Sequence, residues 1–283
     1  MENKIAVVLD STTTLPHGYL SELETRTAPA IIIWEGEELL DGVDIQPDEF
    51  YARLAVAKEM PSTSQATPVM FKGIFDELVG KGYEILAVTI SSKLSGMYTS
   101  AVQAKHALEN ARIEVVDSLT GTMTIGLSLG RMLEALKSGA GLEKCRQVLE
   151  DALANTGVLL TVETLDFLHR GGRIGGAQKF LGSALQLKPI LEVTNGAFEG
   201  LEKVRTRGKA LDRLVDLTIE KIGDRRPVEI AALHANAEEV AHELVEKVRA
   251  RVDVAKAYVT GVSPAVGVHL GPGTVGLAFL AGD

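Results

Sequence analysis

Cysteine is almost absent. Cys145 stands alone in 283 residues, which excludes an internal disulfide framework and a cysteine-rich zinc site. A reduced, cytoplasmic setting is the simplest expectation. Positive charge is not in excess: 29 Lys and Arg face 38 Asp and Glu, a formal net charge of −9. A chain of that balance is a poor candidate for gripping a phosphate backbone, so no nucleic-acid partner is expected. Long apolar runs are missing too. No stretch approaches the roughly 20 apolar residues of a membrane span, and Met1-Glu2-Asn3-Lys4 opens without the apolar region or cleavage site of a signal peptide. Integral membrane association is therefore not expected. Several chemical signatures are also lacking: H-E-x-x-H, G-x-S-x-G, G-x-x-x-x-G-K-[ST], and G-x-G-x-x-G after a strand. Zincins, serine hydrolases, P-loop enzymes and dinucleotide enzymes lose ground accordingly.

What remains is an ordinary globular composition, 46% hydrophobic and 24% charged, long enough for one large or two smaller domains. The first half alternates strand and helix. Lys4–Leu9, Ile85–Ile90 and Ile113–Val116 are near-continuous apolar runs that stop in small polar residues, as strands buried on both faces do. Helical patterns follow at Ala101–Leu108 and Ile125–Leu136. Such repeats predict a parallel sheet flanked by helices, with ligands beyond the carboxyl ends of the strands. Helices are further expected over Leu142–Asn155, Ala210–Ile222 and Glu238–Arg251, and an amphipathic stretch over Ala177–Leu185. Strands are expected over Val158–Val162, Ile190–Thr194, Phe198–Lys203, Val228–Leu233, Val254–Val259 and Thr274–Leu280, with Asn195-Gly196 as a hairpin turn. A domain boundary falls near 155–165, giving an α/β domain over 1–160 and a second α/β domain with a mixed sheet over 161–283.

Several segments could carry chemistry. In Pro61-Ser62-Thr63-Ser64-Gln65-Ala66-Thr67-Pro68, Thr67-Pro68 reads as an N-cap with proline at the first helical position, and three hydroxyls precede it. Ser91-Ser92-Lys93-Leu94-Ser95-Gly96 follows a strand and opens a helix, where free N–H groups and a hydroxyl suit an anion or simply cap the helix. In His169-Arg170-Gly171-Gly172-Arg173-Ile174-Gly175-Gly176 the glycines allow close backbone approach, and Arg173 could turn inward if an anion meets it. His269, before Gly271-Pro272-Gly273, is either a structural histidine or a donor to a carboxylate or phosphate. Lys203, Arg205 and Arg207 would share one face if their segment were a strand, forming either a solvated face or a docking ridge. Asp10 and Asp117 either cap turns or act as catalytic or metal-binding carboxylates.

Taken in order, these motifs resemble the DegV family of fatty-acid-binding proteins: Val8-Leu9-Asp10-Ser11-Thr12 with Leu15-Pro16, Ser62-Thr63-Ser64-Gln65, Ser91-Ser92-Lys93-Leu94-Ser95-Gly96, Gly171-Gly172-Arg173-Ile174, Leu187-Lys188-Pro189-Ile190-Leu191, Lys203-Val204-Arg205-Thr206, and His269 with Gly271-Pro272-Gly273. The resemblance implies a two-domain protein holding one long-chain fatty acid, such as palmitate or oleate, in a tunnel between its domains. It implies that Thr63 and Ser95 bind the carboxylate beside the Gly96 N–H, with Arg173 and His269 completing the surroundings. It further implies presentation of the acid to a separate fatty acid kinase, with Arg205 at the docking position. No catalytic residue, metal or cofactor is expected. Phe180–Leu185 and Leu187–Leu191 are candidates for tunnel lining or for ordinary core. Two other readings stand beside this one: a small-molecule phosphotransferase using the same loops for phosphate, and an interaction protein docking through residues 203–209.

Overall fold

The computed structural model describes residues 4–182 and 187–282. Its first half contains β1 (Ile5–Asp10), β2 (Glu24–Ala28), β3 (Ile31–Trp34), β4 (Glu37–Leu40), α1 (Pro47–Val56), β5 (Ser62–Ser64), α2 (Pro68–Gly80), β6 (Glu84–Thr89), α3 (Met97–His106), β7 (Ile113–Asp117), α4 (Met123–Lys137) and α5 (Leu142–Ala154). Strands β2-β1-β6-β7 form a parallel sheet. The apolar run of β1 is continuous because both faces are covered. Ile5, Val7 and Leu9 join the core under α4 and α5, while Ala6 and Val8 join the core that holds Phe71 and Phe75 of α2.

The strand–helix alternation expected from the sequence is interrupted between residues 11 and 64. No helix follows β1; turns lead directly to β2. A small antiparallel sheet, β4-β3-β5, comes next, and α1 packs Phe50 against Trp34 of β3. Short strands of four and three residues carry too little periodicity to stand out in a sequence.

The second half contains β8 (Thr156–Thr161), α6 (Asp166–Arg170), a 3-10 turn over Gly175–Phe180, β9 (Lys188–Thr194), β10 (Ala197–Val204), α7 (Arg207–Ile222), β11 (Val228–His234), α8 (Glu238–Arg249), β12 (Lys256–Gly261), α9 (Pro264–Leu270) and β13 (Val275–Ala281). Its sheet is mixed, in the order β10-β9-β8-β13-β11-β12, with β11 and β12 parallel and the other pairs antiparallel. The expected division at residue 160 falls inside β8, whose partners are β9 and β13 of this second sheet. Asn195-Gly196 forms the hairpin turn, both residues with positive φ. The expected amphipathic stretch over Ala177–Leu185 is a 3-10 turn as far as Phe180, and Leu185 lies outside the described residues.

Helix α4 joins the halves. It packs on α5 on one side and on β13, β11 and β8 on the other. Residues 123 to 129 are all buried, the pattern of a helix covered on every side. The hairpin tip adds a second tie, since the Ser91 hydroxyl donates to the Gly196 carbonyl at 2.7 Å. Among the described residues, no helix is long and apolar enough to cross a membrane.

Candidate functional site

Four segments distant in sequence converge where the two halves meet. The first is β5. Its antiparallel pairing with β3 sets Thr63 opposite Ile32, and Thr67 then caps α2 by accepting from the Met70 N–H at 3.2 Å. The second is the turn after β6. Asp117 Oδ1 accepts from the Ser92 N–H at 3.1 Å and from the Leu119 N–H at 3.1 Å, so this carboxylate is spent on the turn. Gly96 is the N-cap residue of α3 and carries no side-chain cap, leaving helix-start N–H groups without a side-chain acceptor from the cap. Ser95 lines the cavity described below.

The third segment is the glycine-rich turn after α6. Gly171 is close-packed: a Cβ there would lie 2.1 Å from His269 Nδ1. Gly175 has φ +51° and would drive a Cβ into the Phe198 carbonyl at 2.5 Å, so backbone and sterics both require glycine. The turn delivers Arg173, whose Nε donates to the Leu94 carbonyl at 2.9 Å and Nη1 to the Gly171 carbonyl at 2.6 Å. Arg173 is half-buried and lines the same cavity. No carboxylate pairs with it among the described residues.

The fourth segment is α9, a helix the sequence reading did not anticipate. Its signal is present in Ser263-Pro264, the same cap-plus-proline pair that marks α2. Ser263 accepts from the Val266 N–H. Helical spacing then places Val266, His269 and Leu270 on one face, and all three line the cavity. His269 Nε2 lies 2.7 Å from Thr63 Oγ1, while its Nδ1 is buried without a partner. Burial, and secondarily the Arg173 charge, push the imidazole down to about 4. It is neutral at pH 7, so Arg173 is the cation here.

This polar end opens onto apolar space. One cavity includes Thr12, Thr63, Ser95, Arg173 and His269 in its lining. A second is lined mainly by apolar residues, among them Val158, Leu160, Val193, Leu233 and Val262. Ile90, Leu94, Phe198, Val266 and Leu270 line both, so the polar end and the apolar space adjoin. None of the described residues in the two stretches expected as lining takes part. Ile190 and Leu191 are core residues, and Phe180 packs on Gly200.

The remaining candidates separate. Asp10 is fully buried; its Oδ2 accepts from the Ile90 N–H at 2.7 Å and its Oδ1 from the Thr12 N–H and hydroxyl. Burial outweighs these bonds and raises its pKa. The residues 203–209 do not form one strand face. β10 ends at Val204, and Thr206 caps α7. Lys203 lies over the Phe180 ring. Arg207, at the first position of α7, turns away to the Glu163 carboxylate and the Gly273 carbonyl. Arg205 and Lys209 stay exposed without a side-chain partner among the described residues.

Asp41 was not anticipated. Its Oδ2 accepts from the Ser11 hydroxyl at 2.6 Å and its Oδ1 from the Ala265 N–H at 3.2 Å, so it ties β4 to the start of α9. Burial raises its pKa to about 6, against the opposing pull of the Ser11 and Ser263 hydroxyls. No local pattern marks it, because its partners lie 30 and 224 residues away in sequence.

The family described as "Uncharacterised protein, DegV family" matches residues 4–282. The chain belongs to the DegV family. A DegV domain-containing protein of Caldanaerobacter subterraneus subsp. tengcongensis is 31% identical over 276 residues, covering 98% of each chain. Among solved structures, a fatty-acid-binding DegV family protein from Thermus thermophilus superimposes with a TM-score of 0.92 at 31% identity, over 98% of this chain and 99% of that one. A stearic-acid-binding protein from Eubacterium ventriosum superimposes with a TM-score of 0.88 at 25% identity, over 99% and 98%. The parallel sheet, the mixed sheet and their order are therefore the DegV architecture.

Proposed function

We propose that this DegV-family chain binds one long-chain fatty acid, with its carboxylate at Thr63, Ser95 and Arg173 and its hydrocarbon in the adjoining apolar cavity. The observation that carries the reading is Arg173, a half-buried guanidinium without a carboxylate partner, standing where a polar pocket meets an apolar one. A charge held out of water calls for an opposite charge, and the lining of the apolar cavity calls for hydrocarbon.

The chemistry divides between the two ends. Each buried CH₂ contributes roughly 0.8 kcal/mol, so a C16 chain supplies on the order of 10 kcal/mol. The head group must be buried without losing its hydrogen bonds. A neutral His269 with its proton on Nε2 donates to Thr63 Oγ1, which leaves the threonine hydrogen free to donate to a carboxylate oxygen. Ser95 offers a second hydroxyl and Gly96 an N–H at the start of α3. Arg173 balances the charge. This set binds and orients a carboxylate; the fitting role is that of a carrier rather than of an enzyme. The tunnel would run between the mixed sheet, which supplies Val158, Leu160, Val193, Phe198 and Leu233, and the loops beyond β1 and β6, which supply Thr12, Ile90, Leu94 and Ser95.

The acid would then be passed to a separate fatty acid kinase. Exposed, unpaired Arg205 is the residue for that docking, and the head group sits near the surface at loops rather than deep in a core. Titration of delipidated protein with oleate tests the binding half. The double variant T63V/S95A should keep the wild-type unfolding transition and lose binding by 100-fold or more; oleate affinity equal to wild type would refute the assignment. R205E should retain oleate and fail to support kinase-dependent phosphorylation; unimpaired phosphorylation would refute the docking role.

A further inference from the structure

The apolar cavity ends against a wall that is one side chain thick. His234 and Val262 line the cavity on one side, and the same two residues line an open surface cleft on the other. That cleft is bordered by Asp48, Asn236, Glu238 and Glu239, so it is wet and polar. His234 is the last residue of β11, where the sheet stops supporting it. Its imidazole lies over Gly261, whose missing Cβ would stand 3.4 Å from His234 Cε1. One long contact holds the ring, from the Ala237 N–H to Nδ1 at 3.5 Å. No bond to Nε2 occurs among the described residues.

One other place is similarly thin. Val158 and Val193 line both the cavity and a second cleft. These are β-branched residues within β8 and β9, stiff at χ1 and framed by neighbouring strands. His234 differs from them in its setting: at a strand end, against a glycine, and weakly tethered. It is also the one imidazole in an otherwise largely apolar lining.

We infer that the His234 side chain is the stop that sets how long an acyl chain this protein accepts, and that the cleft behind it is where a longer chain emerges once the stop is removed. This rests on the fatty-acid reading above. A chain of fitting length ends against the ring with its methyl group still in apolar surroundings. A longer one must displace the ring and push methylenes into a polar cleft. An apolar pocket discriminates roughly 10-fold or more per misplaced methylene, so a single stop is enough to set a length preference.

The test compares fatty acids extracted from wild type, H234A and H234W, all expressed in the same host, together with competition of C14 to C22 acids for each delipidated protein. H234A should shift its preference toward longer acids by roughly 10-fold relative to wild type, and H234W toward shorter acids by a similar factor. H234L, close to histidine in size, separates bulk from polarity and should keep the wild-type profile. Unfolding curves establish that each variant is folded. Wild-type profiles in both H234A and H234W, with wild type itself loaded, would overturn the stop and leave the carrier reading standing. A wild type that neither carries nor takes up any fatty acid would overturn both.

Discussion

The two ends of the cavity are built by opposite rules. The apolar end draws largely on residues within strands and a helix: Val158 and Leu160 on β8, Leu233 on β11, Gly276 on β13 and Val266 on α9. The strand positions are held by sheet ladders and contribute shape without direction. The polar end is made mostly where elements begin or stop: Ser95 and Gly96 before α3, Arg173 beyond α6 and His269 near the end of α9, with Thr63 on the three-residue β5. Element ends expose backbone donors and turn side chains into the space between segments. Affinity is thus assigned to the scaffold and orientation to its termini. Each end should fail in its own way when damaged.

The largest effect is expected at the apolar end. L160A removes a buried side chain from the core that also holds Leu168 and Leu191, and should lower the stability of the empty protein by about 2–5 kcal/mol. Urea unfolding measures this, and oleate should restore part of the loss. An effect below about 1 kcal/mol would mean that the wall collapses around the gap.

At the polar end the sharper probe is pH, because two groups pull in opposite directions. As pH falls below 6.5 an unfolded chain protonates its histidines, while native His269 resists down to about 4. Stability is therefore lost across that window, by about 3 kcal/mol in all. Asp41 runs the other way. Its native pKa, about 6, exceeds the ordinary value of 3.8, so the native chain takes the proton first and gains a similar amount, about 3 kcal/mol, as pH falls from 6 to 4. Relative to wild type, H269Q should become more stable on acidification from pH 7 to 4, and D41N less stable. Chemical denaturation at three pH values in this range would show the two lines diverging; parallel lines would contradict the burial of both groups.

A smaller loss follows from R173M, which keeps the bulk and removes the charge. Oleate should bind about 10- to 100-fold more weakly, as for a lost charge-assisted hydrogen bond of about 1.5–3 kcal/mol. Oleyl alcohol, with no charge to match, should be insensitive to the change. Smallest is S91A, which removes the hydroxyl donor to the hairpin tip and should cost about 1 kcal/mol, with no change in preference between acid and alcohol.

The same contrast explains what could be read from sequence. The parallel sheet was legible because β1 and β6 are buried on both faces and so run apolar almost without a break, whereas edge strand β7 carries Glu114 and is only partly buried. Thr67 capping α2 was legible because cap and proline sit side by side. The small sheet β4-β3-β5 was not, since its strands are short and partly exposed. Thr63, Ser95, Arg173 and His269 each lay in a turn-like motif, but nothing local says they meet. Thr63 and His269 are 206 residues apart. Their meeting depends on α9, and α9 depends on Asp41, whose partners are nearly as remote. The apparent ridge at Lys203, Arg205 and Arg207 failed for a local reason: Thr206 ends the strand and starts a helix, which swings Arg207 toward Glu163.

The most direct test of the central claim is mass spectrometry of a denatured organic extract of the purified protein, quantified against protein concentration. The account predicts close to one long-chain fatty acid per chain. An empty extract, together with no uptake of added oleate or palmitate, would contradict it, and would leave the unpaired Arg173 to be explained by a polar anion instead.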